Sequence, residues 1–512
     1  MHTGVLDDPQ SAKTLPQLIR AAAAAYGSDT AIVMKGGPEA DETFSFSELE
    51  RKSAELARGL LARGVGKGTR IGFIYGNSPT FALLLAAISR IGAVAIPIST
   101  LIKSNELVRV LRQSDVAGLF VQREFLGNDY VERLCEALPE LAGSDSPDLR
   151  IGKTPYLRWI VSSGERLPPS FRDMRYFTDA ASTIGEELLL QIESEVHPAD
   201  QMIEIYTSGS MALPKGVKHN HGPSLFRTHY MRSTLLPKRG QEITVQLPMF
   251  WIGGLIMYLL PNWEVGAISV CTERTLNNSR VAMGTVLAAE DVEMLKQNKP
   301  YWGLGMTETL GPYSYGDELR VASHPLCAPL DHIADRFEVR VADSEDKPVP
   351  DGGTGEVQVR GYPLTPGLHK IERDEFFTPD GFYHTGDMAI VQGKRILFIG
   401  RNGDMIKTAS ANVSPAEVEM ELQQLDGVHS AYVLGLPDKE RGQLVVAALV
   451  ARYGATLDFT EIEKMLRQRL SSYKVPRAYV QIAREEVPLL HSNKVSRRLF
   501  GDFLIKKLGR EA

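Results

Sequence analysis

The chain has 512 residues, with 57 Lys and Arg against 63 Asp and Glu and a formal net charge of −6. Hydrophobic residues make up 43% and charged residues 23%, which excludes a disordered chain and leaves ample material for a large core. The mildly acidic balance gives no electrostatic case for nucleic-acid binding. Three cysteines, none in a CxxC pair, exclude a disulfide framework. At about 150 residues per domain, the length suggests three or so domains or subdomains.

The start, MHTGVLDDPQSAK, lacks a basic stretch followed by an apolar run, so it does not read as a secretory signal. The longest apolar stretches, Phe81–Ile88 and Trp251–Leu260, fall short of the ~18 residues that suggest a membrane span. The expectation is a soluble, reduced, cytoplasmic protein with no integral membrane segment.

In chain order, Leu15–Ala25 has one apolar face, and Phe46–Leu61 repeats apolar residues at helical spacing. Ser45 and Glu48, three apart, form a capping-box pattern before that second helix. Arg70–Tyr75 reads as a buried strand that ends at a Gly76-Asn77 turn, Pro79–Ile91 as a helix, and Ala93–Ile98 as a second buried strand. Strand, helix, strand is the grammar of a parallel sheet covered on both faces. Tyr156–Val161 and Gln201–Tyr206 extend it, and Ala289–Lys296 has a short helical pattern. Gly361–Gly386 is turn-rich, and Gly400-Arg-Asn-Gly403 marks a boundary. Beyond it lie a helix at Pro415–Gln424, strands at Ser430–Leu436 and Val445–Ala451, and a helix at Thr460–Leu470. The expected fold is α/β: a large N-terminal domain, 1–400, of mostly parallel sheets flanked by helices plus a distorted β region. A small α+β domain, 401–512, follows it.

Chemistry concentrates in Tyr206-Thr-Ser-Gly-Ser-Met-Ala-Leu-Pro-Lys-Gly-Val217. Glycines let a backbone approach a ligand closely, and N–H groups and hydroxyls donate to phosphate oxygens. Lys215 adds a positive charge. The spacing is not that of a Walker A loop, and no G-x-S-x-G hydrolase elbow occurs. By composition alone, a polar surface loop fits equally well.

The wording of this loop resembles the YTSGSTGxPKGV phosphate loop of the adenylate-forming (AMP-binding) superfamily, with acyl-CoA synthetases and fatty-acid–CoA ligases most similar in wording. Later segments resemble the family's other motifs in its order: Gly305-Met-Thr-Glu-Thr309, Gly353–Gly361, Tyr383-His-Thr-Gly-Asp387, Phe398–Lys407 with Asn412, and Pro488 to Lys494 with Arg497-Arg498. Asn77-Ser78-Pro79 and Gly92-Ala-Val94 also fit.

The resemblance implies two steps: a carboxylate attacks ATP to give acyl-AMP and pyrophosphate, and a thiol, usually that of coenzyme A, displaces AMP. ATP, Mg²⁺ and coenzyme A are the implied cofactors and co-substrates, and a small carboxylic acid is the partner. A homodimer is left open. By resemblance, Thr207, Ser208, Gly209, Ser210 and Lys215 hold the β- and γ-phosphates, and Thr307 contacts the α-phosphate. Glu308, with Thr207, holds Mg²⁺. Asp387 accepts from the ribose hydroxyls, Arg401 donates to ribose or phosphate, and Lys407 lines the hinge. Lys494 is the adenylation lysine, carried on a mobile C-terminal domain. Trp251, Gly253 and Gly305 are assigned to the acyl pocket.

Several positions depart from the pattern. Met211-Ala212 replace Thr-Gly, Leu304 stands where an aromatic ring commonly stacks on adenine, and Trp251 replaces a frequent histidine. Gly403 takes the hinge position, Ser410 replaces a glycine, and Leu490 and Asn493 flank Lys494 in place of Thr and Gly. Trp251 to Gly305 spans only 54 positions, several tens fewer than is usual in the family. Three readings follow: a ligase joining a hydrophobic acid to coenzyme A, an acyl-AMP ligase loading a carrier protein, and a degenerate nucleotide-binding member. Phe250-Trp-Ile252 offers no carboxylate for a substrate ammonium, which sets amino acids aside.

Overall fold

The computed structural model describes residues 8–36, 42–102, 104–207, 214–273, 304–314, 327–330, 333–404, 406–408, 411–413, 415–438, 442–470, 474–489 and 495–509. By packing, the chain divides into two units. The first comprises Met1–Pro300, Gly305–Pro312 and Gly361–Glu375, and the second Tyr301–Leu304, Tyr313–Arg360 and Phe376–Ala512.

In the first unit, α1 (Leu15–Tyr26) precedes β1 (Thr30–Lys35) and β2 (Thr43–Ser45). Next come α2 (Phe46–Ala62), β3 (Arg70–Ile74), α3 (Pro79–Arg90), β4 (Val94–Pro97), β5 (Gly118–Val121) and β6 (Trp159–Ser162). Then β7 (Gln201–Thr207) and β8 (Lys215–Asn220) lead into α4 (His221–Leu235), and β9 (Glu242–Thr244) and β10 (Ile268–Thr272) follow. The capping box forms as the spacing predicts: Glu48 N–H donates to Ser45 Oγ at 3.2 Å, and Ser45 N–H donates to the Glu48 carboxylate at 2.9 Å. These bonds satisfy N–H groups that the first turn of α2 would leave without partners.

A six-stranded sheet runs β8-β7-β4-β3-β5-β6, parallel except for the β7–β8 hairpin. A second sheet, β9-β10-β1-β2, joins strands from both ends of this unit, with Ile32 beside Ser269. Helix α3 connects β3 to β4 and is buried over nearly its whole length, so its apolar residues run all round rather than along one stripe. Its terminal Arg90 is fully buried and bonds Glu193 at 2.6 Å and Glu50 at 2.9 Å. Such a charge is tolerated in a core only when paired and hydrogen-bonded.

Two short strands, β11 (Gly305–Met306) and β12 (Gly311–Pro312), pair antiparallel in the first unit. The second unit has a sheet of β13 (Cys327–Pro329), β14 (Phe337–Ala342), β15 (Thr354–Gly361), β16 (Tyr383–Gln392) and β17 (Arg395–Arg401), ordered β13-β17-β16-β15-β14. Its last sheet contains β18 (Ile406–Thr408), β19 (Ala411–Val413), β20 (Val428–Asp438), β21 (Gly442–Ala451) and β22 (Ala478–Gln481). Helices at Pro415–Gln423, Phe459–Arg469 and Arg497–Lys507 accompany that sheet, which has apolar clusters on both faces. Both clusters are built from Ile406 and residues after it. The Gly400–Gly403 segment is not a plain linker: β17 runs through Arg401, and a 3₁₀ turn covers Asn402–Asp404.

Candidate functional site

In the first unit, β7 ends at Thr207 and β8 begins at Lys215, and these two residues are register partners across the hairpin. Thr207 thus stands at the carboxyl end of a strand that pairs parallel with β4, the end of the strands at which ligand crevices form in α/β sheets. Thr207 and Lys215 are both half-buried. Ser208, Gly209, Ser210, Met211 and Ala212 lie outside the described residues, as do Lys494 with Leu490 and Asn493, Ser410, and the Ala289–Lys296 pattern.

The free edge of β8 is covered by the Gly361–Glu375 segment. Lys218 N–H donates to Gly367 O at 3.3 Å, His369 N–H donates to Gly216 O at 2.8 Å, and Val217 bridges Leu368. Thr365 extends the link in two directions. Its hydroxyl donates to Lys218 O and its N–H to Glu308 O, each at 2.8 Å.

Thr307 and Glu308 sit in a single 3₁₀ turn, Thr307–Thr309, between β11 and β12. Thr307 is half-buried and Glu308 only 8% exposed. Gly305 is the residue this pairing requires, since a Cβ there would lie 2.5 Å from Pro312 Cα. Two further donors hold the turn. Arg227 on α4 donates to Pro312 O, and the ring of His219 on β8 meets Thr307 O at 2.8 Å.

Trp251 caps a short helical turn, Ile252–Gly254, that runs into a π-helical stretch at Leu255–Leu259; such stretches are frequent at functional sites. Trp251 and Gly253 are half-buried, whereas Phe250, Ile252, Leu255 and Ile256 are buried. The buried Asn77, just past β3, fixes the approach to this segment. Its amide donates to Val245 O and Leu247 O at 3.1 and 2.9 Å, and its carbonyl accepts from Met249 N–H at 2.7 Å.

In the second unit, Asp387 and Arg401 are cross-strand partners with Nε to Oδ1 at 2.9 Å. Asp387 is nearly buried, while the Arg401 side chain is 55% exposed. The Thr385-Gly386-Asp387 stretch of β16 sits beside register shifts in both neighbouring strand pairs. The Glu356 carboxylate anchors it, accepting from Gly386 N–H at 2.7 Å and bonding the His384 ring at 2.8 Å. Gly386 has φ 75°, a left-handed conformation that disfavours any other residue. Lys407 pairs through its backbone with Asn412.

His219 and His221 were not singled out in the sequence, yet both are fully buried. The signal available was a polar residue at an inward position of a strand and another at a helix start. Burial pulls the imidazolium forms of both down to about 3. His221 Nδ1 accepts from Leu15 N–H at 3.2 Å, tying α4 to α1. Both folded values lie below the ordinary histidine value of 6.5. Their stabilising contribution is therefore full above about pH 6.5 and is lost as pH falls toward 3, because the unfolded chain takes up protons first. The urea midpoint should drop from pH 7 to pH 4, and His221→Asn, which keeps an acceptor but cannot be protonated, should drop less. Equal pH slopes for wild type and variant would contradict a buried neutral histidine.

Among the described residues there is no cluster of three or more His, Cys, Asp or Glu able to hold a metal. One carboxylate at Glu308 and a hydroxyl at Thr207 are hard oxygen donors. That set fits a Mg²⁺ ion that arrives on nucleotide phosphates and keeps its waters, rather than one held in an all-protein cage. No helix among the described residues is long and apolar enough to cross a membrane.

Comparison with known proteins bears on the family and the fold. The chain matches the model of the AMP-binding enzyme over residues 19–297 and that of the AMP-binding enzyme C-terminal domain over residues 417–494. A feruloyl-CoA synthase from an Amycolatopsis species is 27% identical over 474 residues, covering 89% of this chain and 94% of that protein. An indoleacetate–CoA ligase from Aromatoleum aromaticum is 25% identical, covering 90% of this chain and 92% of that protein. The crystal structure of ATP-bound MatB from Rhodopseudomonas palustris superposes with a TM-score of 0.76 at 20% identity, covering 97% of this chain and 99% of MatB, which establishes the shared fold. The first family model alone spans more than half of the chain and ends where the C-terminal model has yet to begin, so the chain belongs to the AMP-binding enzymes.

Proposed function

We propose that this AMP-forming acid–CoA ligase acts on a hydrophobic carboxylic acid. The acid's carboxylate oxygen attacks the α-phosphorus of ATP, the bond to the β-phosphate bridging oxygen breaks, and pyrophosphate leaves. The sulfur of coenzyme A then attacks the acyl carbonyl, AMP leaves, and the thiol proton passes to solvent. Thr207, Ser208, Gly209, Ser210 and Lys215 hold the β- and γ-phosphates, and Thr307 donates to the α-phosphate. Asp387 accepts from the ribose hydroxyls, Arg401 donates to ribose or phosphate, and Lys407 serves the hinge near residue 401, where the small domain begins. Glu308 would hold Mg²⁺, which supplies charge neutralisation at the phosphate oxygens. Positive charge and fixed donors aimed at the α-phosphate are the main catalytic resource, because negative charge builds there.

The observation that carries the substrate class is the Phe250–Ile256 segment. It is apolar, it lacks a carboxylate that could pair with a substrate ammonium, and it holds one half-buried indole beside buried aliphatic side chains. The test is product analysis with ATP, coenzyme A and a panel of aliphatic, aromatic and charged acids. Acyl-CoA and AMP formed from apolar acids support the reading. Turnover confined to small charged acids, or acyl-AMP that accumulates beside unused coenzyme A, overturns it.

Trp251→Ala should shift preference toward longer or bulkier acids while the melting temperature moves little. A rigid indole discriminates by exclusion, and one methylene of misfit is worth ~1–3 kcal/mol. Trp263 supplies the contrast, being 1% exposed. Its truncation should cost ~3–5 kcal/mol of stability and leave substrate ranking alone. If Trp251→Ala behaves like Trp263→Ala, the indole is core packing and not a pocket wall.

A further inference from the structure

We propose that His219 is a positioning residue for adenylation: its ring N–H bond to the Thr307 carbonyl sets where Thr307 and Glu308 stand against the strand that carries Lys215. This rests on the reading above, in which those three residues face the nucleotide.

Three observations carry it. The first is the direction of the strand's side chains. Side chains alternate along a β-strand, so Lys215, Val217 and His219 share one face of β8, and the residue this face meets through His219 is Thr307. The phosphate lysine and the turn bearing the α-phosphate and Mg²⁺ donors are thus referenced to one rigid strand.

The second is what anchors that turn to the rest of the unit. The β11–β12 pair is two residues long on each side, and the turn between them is three residues of 3₁₀ helix. Within it, Leu310 N–H donates to Thr307 O and Met306 N–H to Thr309 Oγ1, each at 3.1 Å, and the Thr309 hydroxyl donates to Gly311 O at 2.6 Å. These bonds shape the turn but do not tie it to β8. Donors distant in sequence fix it instead: His219 at Thr307 O, Thr365 N–H at Glu308 O, and Arg227 at Pro312 O. Two consecutive carbonyls are therefore pinned by different elements, and of these two donors only His219 acts through its side chain.

The third is the chemistry of the ring. A carbonyl oxygen only accepts, so Nε2 carries the proton and Nδ1 is the bare nitrogen. Nδ1 is buried with no hydrogen-bond partner among the described residues. An aliphatic residue would fill the space without that desolvation penalty. What the imidazole adds over an aliphatic side chain is the single bond to Thr307. Burial keeps the ring neutral at working pH, so the bond does not vary across an ordinary assay range.

The experiment compares His219→Leu, which keeps bulk and loses the donor, with His219→Gln, whose amide nitrogen reaches a similar position. Acid-dependent pyrophosphate release should show kcat reduced about tenfold or more in His219→Leu, since small misplacements of reacting groups carry penalties of that order. The KM for ATP should change less than about threefold, and the Mg²⁺ concentration for half-maximal rate should rise. His219→Gln should recover most of both losses. Unchanged kcat and Mg²⁺ dependence in His219→Leu overturns the proposal. So does a parallel loss of rate and melting temperature in both variants, because packing alone explains that. If wild type releases no pyrophosphate with any acid, the ligase reading fails on its own account. The Mg²⁺ concentration needed for half-maximal ATP binding, read by calorimetry, then decides the positioning role: a raised requirement in His219→Leu with recovery in His219→Gln supports it, and an equal requirement in all three ends it.

Discussion

Lys494→Ala should lower the kcat of adenylation by roughly 10²-fold or more, the usual loss for one preorganised electrostatic group, with a smaller rise in KM. The ammonium would act on the pentacoordinate α-phosphate, whose charge is present mainly in the transition state, and interactions made only there appear in kcat. Thioester formation from supplied acyl-AMP should survive, because no phosphoryl transfer remains to be catalysed in that half. The measurement is paired: pyrophosphate release for the first half-reaction, and acyl-CoA from synthetic acyl-AMP for the second. Equal losses in both would assign Lys494 a structural or shared role instead.

Asp387→Ala should weaken ATP binding about 10- to 100-fold, since hydrogen bonds to a charged group are worth ~1.5–3 kcal/mol and each ~1.4 kcal/mol is a factor of ten. The carboxylate is held on an irregular stretch of β16 that Glu356 anchors through Gly386 N–H and the His384 ring, so little reorganisation is needed when ribose arrives. Arg401 lies 2.9 Å away with half its side chain in solvent, and its charge stays hydrated when the partner is removed. Asp387→Asn should fall between alanine and wild type, because the amide keeps one acceptor oxygen. Isothermal titration with ATP and a thermal melt separate the outcomes. A lowered melting temperature with unchanged ATP affinity would make Asp387 a structural partner of Arg401 only.

Much of the first unit was legible because its signals are local. The α2 helix announces itself through Ser45, Glu48 and a 3.6-residue apolar period, and it forms over Phe46–Ala62 with the box closed. The β3–α3–β4 unit is similarly local, with Pro79 at the helix start and continuous apolar runs on either side. The C-terminal elements also fall within a few residues of their expected bounds, although β20 and β21 extend to Val428–Asp438 and Gly442–Ala451. Those extensions carry polar ends, and hydrophobic periodicity does not register strand residues that bond through the backbone alone.

The second sheet of the first unit was not legible. Its pairing of Thr30–Lys35 with Ile268–Thr272 joins segments too far apart for any local pattern to connect, and Glu242–Thr244 is too short to stand out from a loop.

The sequence by itself determined the family, the order of the motifs and the chemical types gathered in them, because each depends on residues within about ten positions of one another. Tertiary structure decided which side chains hold those motifs in place. Asn77 reads as a turn residue, yet its amide spans to Val245, Leu247 and Met249. His219 and Thr365 look like unremarkable polar residues, yet they fix adjacent carbonyls of the Thr307–Glu308 turn. The physical reason is the same in each case: a buried polar group must find a partner, and the partner is chosen by the fold, not by neighbours along the chain.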